Sequence, residues 1–231
     1  MKIAIRAEGP TDIGMLAQDG SLVKGPMLIL LEKLECYQEL LDQLGFGEGL
    51  NIDDFIQWEY IHKQTIKKSS ESRKKLILRS KKDNGFSGMK GFYKNSEAFS
   101  CIAKEKDADM AIFFVDTDKD FSEDRHTQVN AGLSMHGYTE TGVPMIPTKI
   151  SEAWLMCYLS DYQNCADHEN ATTAKDSPNY PKNVCVASGK TTHEIAESCD
   201  PNRIGMPSFN RFRDDFKVAV NSYMGRPHIC S

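Results

Sequence analysis

Three aspartates stand at alternate positions directly after a short apolar stretch. Asp116, Asp118 and Asp120 follow residues 110–115, which read MAIFFV. Side chains two residues apart in an extended segment point the same way, so the carboxylates of Asp116 and Asp118 can converge. Converging carboxylates repel each other unless a cation lies between them, and their oxygens are typical ligands of Mg²⁺ or Mn²⁺. The spacing therefore predicts a divalent-metal site after this stretch.

Other interpretations of these aspartates are a solvated turn, a calcium-binding loop and a phosphatase-like site. A calcium loop that began at Asp116 would need glycine at its sixth position and glutamate at its twelfth, where the chain has Phe121 and Thr127. The calcium loop is therefore excluded. The solvated turn stays open, as does a phosphotransferase in which Asp116 is the nucleophile and Asp118 the general acid and base.

Two further acids follow predicted strands elsewhere in the chain. Glu8 follows residues 2–7, and Glu152 follows residues 142–147. Parallel sheets bind their ligands beyond the carboxyl ends of their strands, so these acids can converge with the aspartates. One or two Mg²⁺ ions held by such carboxylates can clamp the attacking and leaving oxygens of a phosphodiester, and Glu8 could also act as general acid or base. The predicted metal ligands are Glu8, Asp116, Asp118, Asp120 and Glu152, of which Glu8, Asp116 and Asp118 are the predicted catalytic residues.

The predicted strands and helices indicate an α/β fold. A continuous apolar run such as residues 110–115 is typical of a strand buried on both faces in a parallel sheet. Further strands are predicted at residues 2–7, 55–62 and 142–147. Apolar residues at helical spacing predict helices at residues 24–44, 95–106, 124–136 and 208–223, a short helix at 189–198, and a helix that begins with Ser151 as its N-cap. Residues 161–188 are polar and are predicted to be rich in loops.

Positive charge is concentrated in residues 63–82, although the whole chain has a net charge of −5. The only acid in this segment is Glu71. The segment can be a solvated helix face, or a track that binds phosphates by displacing their counterions. The nucleic-acid-binding residues predicted on the second interpretation are Lys63, Lys67, Lys68, Arg73, Lys74, Lys75, Arg79, Lys81 and Lys82.

The composition is that of an ordinary globular protein, with 231 residues, 40% of them hydrophobic and 26% charged. No apolar run approaches the roughly 18 residues of a membrane span, and the apolar N-terminal run is too short for a signal peptide. The seven cysteines are odd in number and irregularly spaced, which is typical of free thiols in a reducing compartment. We expect a cytoplasmic protein with buried free thiols, no zinc site and no membrane partner.

Four short motifs, in this order, resemble those of Toprim proteins. They are Glu8-Gly9-Pro10-Thr11-Asp12, Asp116-Thr117-Asp118, Glu152-Ala153-Trp154-Leu155 and Pro207-Ser208-Phe209-Asn210-Arg211-Phe212. Over nearly its whole length the chain resembles the small Toprim-like proteins of bacterial defence loci, the DUF4276 or RloB-like group. These are related to the overcoming-lysogenization-defect nucleases. The chain departs from the family pattern at Pro10 and in the length of its basic segment.

The resemblance implies a Rossmann-like domain with a mainly parallel four-stranded sheet flanked by helices, Mg²⁺, and phosphodiester chemistry on DNA or RNA. It places a catalytic core at residues 1–160 with a basic helical insertion at about residues 63–94, and a C-terminal extension at residues 161–231 packed on the core. It also implies supporting roles for Gly9 and Asp12 and, in some defence systems, a partner ATPase. A homodimer is compatible with it.

We therefore expect a Mg²⁺-dependent Toprim-type endonuclease that acts as a toxic effector in antiphage defence. Two alternatives stay open. One is a non-catalytic Toprim-like binding subunit regulated by a partner ATPase, and the other is the phosphatase-like phosphotransferase.

Overall fold

The computed structural model describes residues 1–7, 12–18, 22–77, 91–116 and 124–225, without the side chains at 7, 16, 72–77 and 124. The strands in these ranges are β1 (Lys2–Ala7), β2 (Gly14–Leu16), β3 (Leu22–Lys24), β4 (Gln57–His62), β5 (Met110–Phe114) and β6 (Gly142–Met145). The helices are α1 (Pro26–Glu32), α2 (Glu35–Gln43), α3 (Lys63–Ile77), α4 (Gly91–Glu105), α5 (Asp124–Ser134), α6 (Glu152–Leu159), α7 (Cys165–His168), α8 (Pro181–Ala187), α9 (Thr192–Ser198) and α10 (Pro207–Met224).

A parallel four-stranded sheet lies at the centre, in the order β4-β1-β5-β6. Its register pairs Ala7 with His62, Ile5 with Ile112, and Phe114 with Met145. Strands β2 and β3 form a separate antiparallel pair. The predicted α/β fold with a parallel four-stranded sheet flanked by helices is confirmed.

Both faces of the sheet are covered by helices. On one face, Ile5 and Ile112 share a buried core with apolar residues of α1, α2, α6, α9 and α10. On the other face, Ala4, Ala111 and Phe113 share a second buried core with residues of α3, α4 and α5. Successive side chains of a strand point to opposite faces, so β5 must be apolar at every position. This explains the continuous apolar run in the sequence.

The prediction of one helix at residues 24–44 is wrong, because the chain forms α1 and α2 with a break at Lys33 and Leu34. Leu34 has an extended backbone, with φ −65° and ψ 140°. The Lys33 ammonium donates to the carbonyl oxygens of Glu197 (2.7 Å) and Cys199 at the end of α9. A cation at a helix C-terminus satisfies carbonyls that have no partner within the helix. This contact between distant segments favours the break.

Residues 161–188 are mostly loop, as the sequence predicts, with the short helices α7 and α8 among the loops. One further prediction needs correction in the C-terminal part. All cysteines were expected to be free thiols, but Cys157 and Cys165 form a disulfide between α6 and α7, with their Cα atoms 4.9 Å apart. The other cysteines that the structure describes are free and buried. Within the described ranges, no helix is both long enough and apolar enough to cross a membrane.

Burial raises the pKa of Glu32, at the end of α1, above its usual value of 4.5, although Lys24 lies 2.6 Å away and opposes the rise. At pH values between about 4.5 and the folded-state pKa, the folded protein therefore binds more protons than the unfolded chain. The contribution of Glu32 to stability is complete below about pH 4.5 and is lost as the pH rises through the folded-state pKa.

Glu32→Gln should therefore become more stable relative to the wild type as the pH rises from 4 to 8, by about 1.4 kcal/mol for each unit by which the folded-state pKa is raised. The measurement is urea unfolding as a function of pH. Glu48→Gln, at an exposed position, is the matched control. A difference between Glu32→Gln and the wild type that does not change with pH would contradict the assignment.

Candidate active site at the carboxyl edge of the sheet

The strand order places a crevice between the carboxyl ends of β1 and β5. The connection that leaves β1 runs to β4 through α1 and α2 on one face, whereas the connection that leaves β5 runs to β6 through α5 on the other. Neighbouring strands whose connections leave to opposite faces form a topological switch point, where open α/β sheets bind their ligands. Glu8 follows β1 directly, and Asp116 lies two residues beyond β5.

Asp116 lies at this edge and is half-buried. The preceding residue, Val115, continues the pairing with β6 through a hydrogen bond from its N–H to the Met145 carbonyl oxygen (3.1 Å). The other predicted residues of this group, Glu8, Gly9, Asp118 and Asp120, lie outside the described residues. Their convergence with Asp116 therefore stays a prediction.

Glu152 lies at the same edge, in the first turn of α6, where the helix dipole favours a negative charge. The side chain is buried, with 7% of the residue exposed. Its Oε1 lies 3.3 Å from Nζ of Lys182 on α8. Its Oε2 is buried and accepts no hydrogen bond from any residue that the structure describes.

Asp12 joins this group through Ser151, whose hydroxyl donates to Oδ1 of Asp12 at 3.3 Å. Ser151 is at the N-cap position of α6, as predicted, but its side chain does not cap the helix. Because β5 lies between β1 and β6 in the sheet, this hydrogen bond joins the segments that follow the two strands flanking β5. The hydrogen bond therefore lies beyond the carboxyl end of β5, the strand that precedes Asp116.

Lys182 interacts electrostatically with the carboxylates of both Glu152 and Asp12. Burial alone would lower the pKa of Lys182, but the carboxylates of Glu152 and Asp12 help to raise it above its usual value. Lys182 is therefore a cation at neutral pH, and it offsets part of the negative charge at the edge. A cation beside a buried carboxylate offsets part of the cost of burying its charge.

The loop that contains Asp12 lies close against the start of α1. The Asp12 carbonyl accepts a hydrogen bond from the Met27 N–H (2.9 Å), and the Ile13 carbonyl accepts one from the Gly25 N–H (2.9 Å). A Cβ atom on Gly25 would lie only 2.4 Å from the Asp12 carbonyl oxygen. Glycine at position 25 is therefore required for this close approach, which fixes the position of Asp12.

The third and fourth motifs of the sequence meet on the side of α6 that faces the core. Trp154 donates from Nε1 to the Ser208 hydroxyl at 2.9 Å. Its ring packs against Phe209 and Phe212, with centroids 4.9 and 5.8 Å away. These contacts hold α6 against α10, and α6 in turn holds Glu152 at the edge of the sheet.

A buried arginine also lies near the crevice. Arg6 on β1 donates from Nη1 to the Phe114 carbonyl oxygen, and its guanidinium lies 4.8 Å from the centroid of the Phe113 ring. Only 7% of Arg6 is exposed. The guanidinium thus places a positive charge at the end of β5, two residues before Asp116, where it favours ionised carboxylates and bound phosphate.

The basic segment begins at the same edge, because α3 starts directly after β4. Ile66 anchors α3 in the core, whereas Lys63, Lys67 and Lys68 are exposed. Arg73, Lys74 and Lys75 are also in α3, but their side chains lie outside the described part of the chain, as do the whole residues Arg79, Lys81 and Lys82.

Within the part of the chain that the structure describes, no group of three His, Cys, Asp or Glu side chains is arranged to hold a metal ion. Three of the five predicted ligands lie outside that part, so the metal site stays a prediction. The residues that are described fit such a site, since Mg²⁺ prefers carboxylate oxygens and Oε2 of Glu152 is buried without a hydrogen-bond partner among them.

The sequence did not lead us to predict two of the cations at this edge, Arg6 and Lys182. Arg6 had a recognisable signal, because a charged residue inside a buried strand is rarely placed there without a partner. Lys182 had none, since it lies in a polar segment with no motif. Comparison with protein-family models, with curated proteins and with solved structures found no match to this chain.

Proposed function

We propose that this protein is a Mg²⁺-dependent nuclease of the Toprim type that hydrolyses phosphodiester bonds of nucleic acid. The observation that supports the proposal most is the strand order, because the ligand-binding crevice of such a sheet lies between the two strands that Glu8 and Asp116 follow. At the same edge, Ser151, which directly precedes Glu152, donates a hydrogen bond to Asp12 in the loop after β1.

In this proposal the Mg²⁺ ligands are Asp116 and Asp118, assisted by Glu8, Asp120 and Glu152. The ion supplies charge neutralisation at the phosphate and activation of the attacking water. Glu8 takes the proton from that water, or returns one to the leaving oxygen, at its carboxylate. Lys182 forms an ion pair with Glu152, and Ser151 orients the Asp12 carboxylate through their hydrogen bond.

The resemblance to proteins of bacterial defence loci supports a role as a toxic effector in antiphage defence, with a partner ATPase as regulator. The direct test of the activity uses purified protein with single-stranded and duplex DNA and RNA, in Mg²⁺ and in EDTA. We expect cleavage that requires Mg²⁺. Nucleic-acid binding without cleavage in any metal would instead favour the binding subunit, and a phosphoryl group trapped on Asp116 would favour the phosphotransferase.

The exposed lysines at the start of α3 are proposed to bind phosphates of the substrate. Each phosphate contact contributes about −0.7 to −0.9 to the slope of log K against log salt concentration. The double variant Lys63→Ala, Lys67→Ala should therefore bind nucleic acid more weakly in EDTA, with a slope reduced by roughly 1.4 to 1.8. The measurement is fluorescence anisotropy at several salt concentrations.

A matched control removes two exposed lysines elsewhere, with Lys104→Ala at the end of α4 and Lys217→Ala on α10. The control should keep the wild-type slope. Equal slopes for both double variants would show that α3 presents an ordinary solvated face.

A further inference from the structure

A pocket of about 450 Å³ lies beside the carboxyl edge, between α6, α7 and the segment that leads to α8. This volume is within the range of small-molecule sites, roughly 300 to 1,000 Å³. Its lining includes Met156, Asp167, His168, Asn170, Ser177 and Asn179.

The walls of the pocket are polar and largely uncharged. Asn170, Ser177 and Asn179 offer both hydrogen-bond donors and acceptors, and Met156 offers an apolar, polarisable surface. None of the described residues that line the pocket is a lysine or an arginine, and Asp167 disfavours an anion. These walls suit a flat, uncharged heterocycle with hydrogen-bonding edges rather than a phosphate.

His168 adds a flat aromatic surface to the pocket wall. Burial lowers the pKa of His168, so the imidazole is neutral at physiological pH. Its Nε2 is paired with the hydroxyl of Ser160 at 3.1 Å, which holds the ring in place. A fixed neutral aromatic ring can stack on a nucleobase.

The pocket and the carboxylate edge share two structural elements. Met156 lies four residues after Glu152 on α6, so the two residues lie on the same helix face, about 6 Å apart along the axis. On the other side, Asn183 donates to the carbonyl of Ser177 (2.8 Å), and its neighbour Lys182 pairs with Glu152 (3.3 Å).

The loop after β6 provides a third connection. Lys149 donates from Nζ to the carbonyl oxygen of Ala171, which also lines the pocket, at 3.0 Å. In a nucleotide, the sugar ring separates the nucleobase from the phosphate by a distance similar to that between Glu152 and Met156 along the axis of α6. A phosphate at Glu152 would therefore bring its nucleobase within reach of the pocket.

We propose that this pocket receives one nucleobase of the substrate beside the phosphate at which cleavage occurs. The inference rests on the proposed nuclease function and adds a substrate class to it. A base must be unstacked and unpaired to enter a pocket of this kind, and this costs least in single-stranded nucleic acid or an unpaired loop, which is the substrate class that we infer. The pocket selects among bases through the amides of Asn170 and Asn179.

The test measures nucleobase binding without metal and without cleavage. Adenosine, guanosine, cytidine and uridine are titrated separately into the full-length protein in EDTA, and binding is followed by NMR. At least one nucleoside should bind with a Kd of about 1 mM or tighter. Asn170→Leu and Asn179→Leu should each weaken that binding about tenfold, because each removes hydrogen-bonding groups at nearly constant size.

Two variants serve as controls for this measurement. Val186→Ala changes an exposed side chain on α8 that does not line the pocket, and Asp116→Asn changes the proposed metal site, so both should bind the nucleoside as the wild type does. Absence of binding by all four nucleosides, or binding that neither asparagine variant weakens, would overturn the inference. If nucleosides bind as expected but the protein cleaves nothing in Mg²⁺, the nucleobase site stands and the nuclease proposal falls.

Discussion

Asp116→Asn should lower Mg²⁺-dependent cleavage by at least about 10³-fold, because a carboxylate ligand contributes several kcal/mol to the catalytic effect of a metal ion. Asparagine has nearly the same shape, and Asp116 is only half-buried, so the thermal midpoint should change little. The measurement is the cleavage rate in saturating Mg²⁺, with unfolding followed in parallel. Nucleic-acid binding in EDTA should be preserved.

The control for Asp116→Asn is Asp42→Asn, which makes the same chemical change at an exposed position on α2. It should leave cleavage unchanged. Cleavage by Asp116→Asn at the wild-type rate would remove the central ligand from the proposed site. The nuclease assignment would then lose its main support.

Lys182→Met should lower the free energy of unfolding by about 1 to 3 kcal/mol, because it leaves the buried carboxylate of Glu152 without its cation. The opposite change, Glu152→Gln, should cost less. Half of the Lys182 side chain is exposed (51%), so its ammonium regains water, whereas only 9% of the Glu152 side chain is exposed. Urea unfolding of both single variants and of the double variant measures this asymmetry.

The double variant Lys182→Met, Glu152→Gln should recover most of the stability that Lys182→Met loses, because no buried charge is then left unpaired. Lys175→Met, which removes an exposed lysine nearby, is the matched control. If Lys182→Met costs no more than Lys175→Met, the ion pair does not stabilise Glu152, and the role given to Lys182 is wrong.

The helices show which bounds the local spacing of apolar residues can predict and which it cannot. The sequence predicted α10 at residues 208–223, and the structure has it at Pro207–Met224, because an apolar stripe at helical spacing needs only one core to pack against. The same reasoning failed at residues 24–44. The break there involves the contact of Lys33 with the end of α9, which helical periodicity does not encode.

The sequence by itself determined the parallel sheet and the edge at which the acids follow its strands. The order and continuity of apolar residues along the chain indicate the parallel arrangement of the strands and the burial of β5. Both features can be predicted because the pattern that indicates them is local. Only the tertiary structure decided which side chains meet at that edge. The bond from Ser151 to Asp12 joins residues 139 positions apart, and Lys182 reaches Glu152 from a segment without a motif. Such contacts depend on how the helices pack on the sheet, which no short pattern of residues specifies.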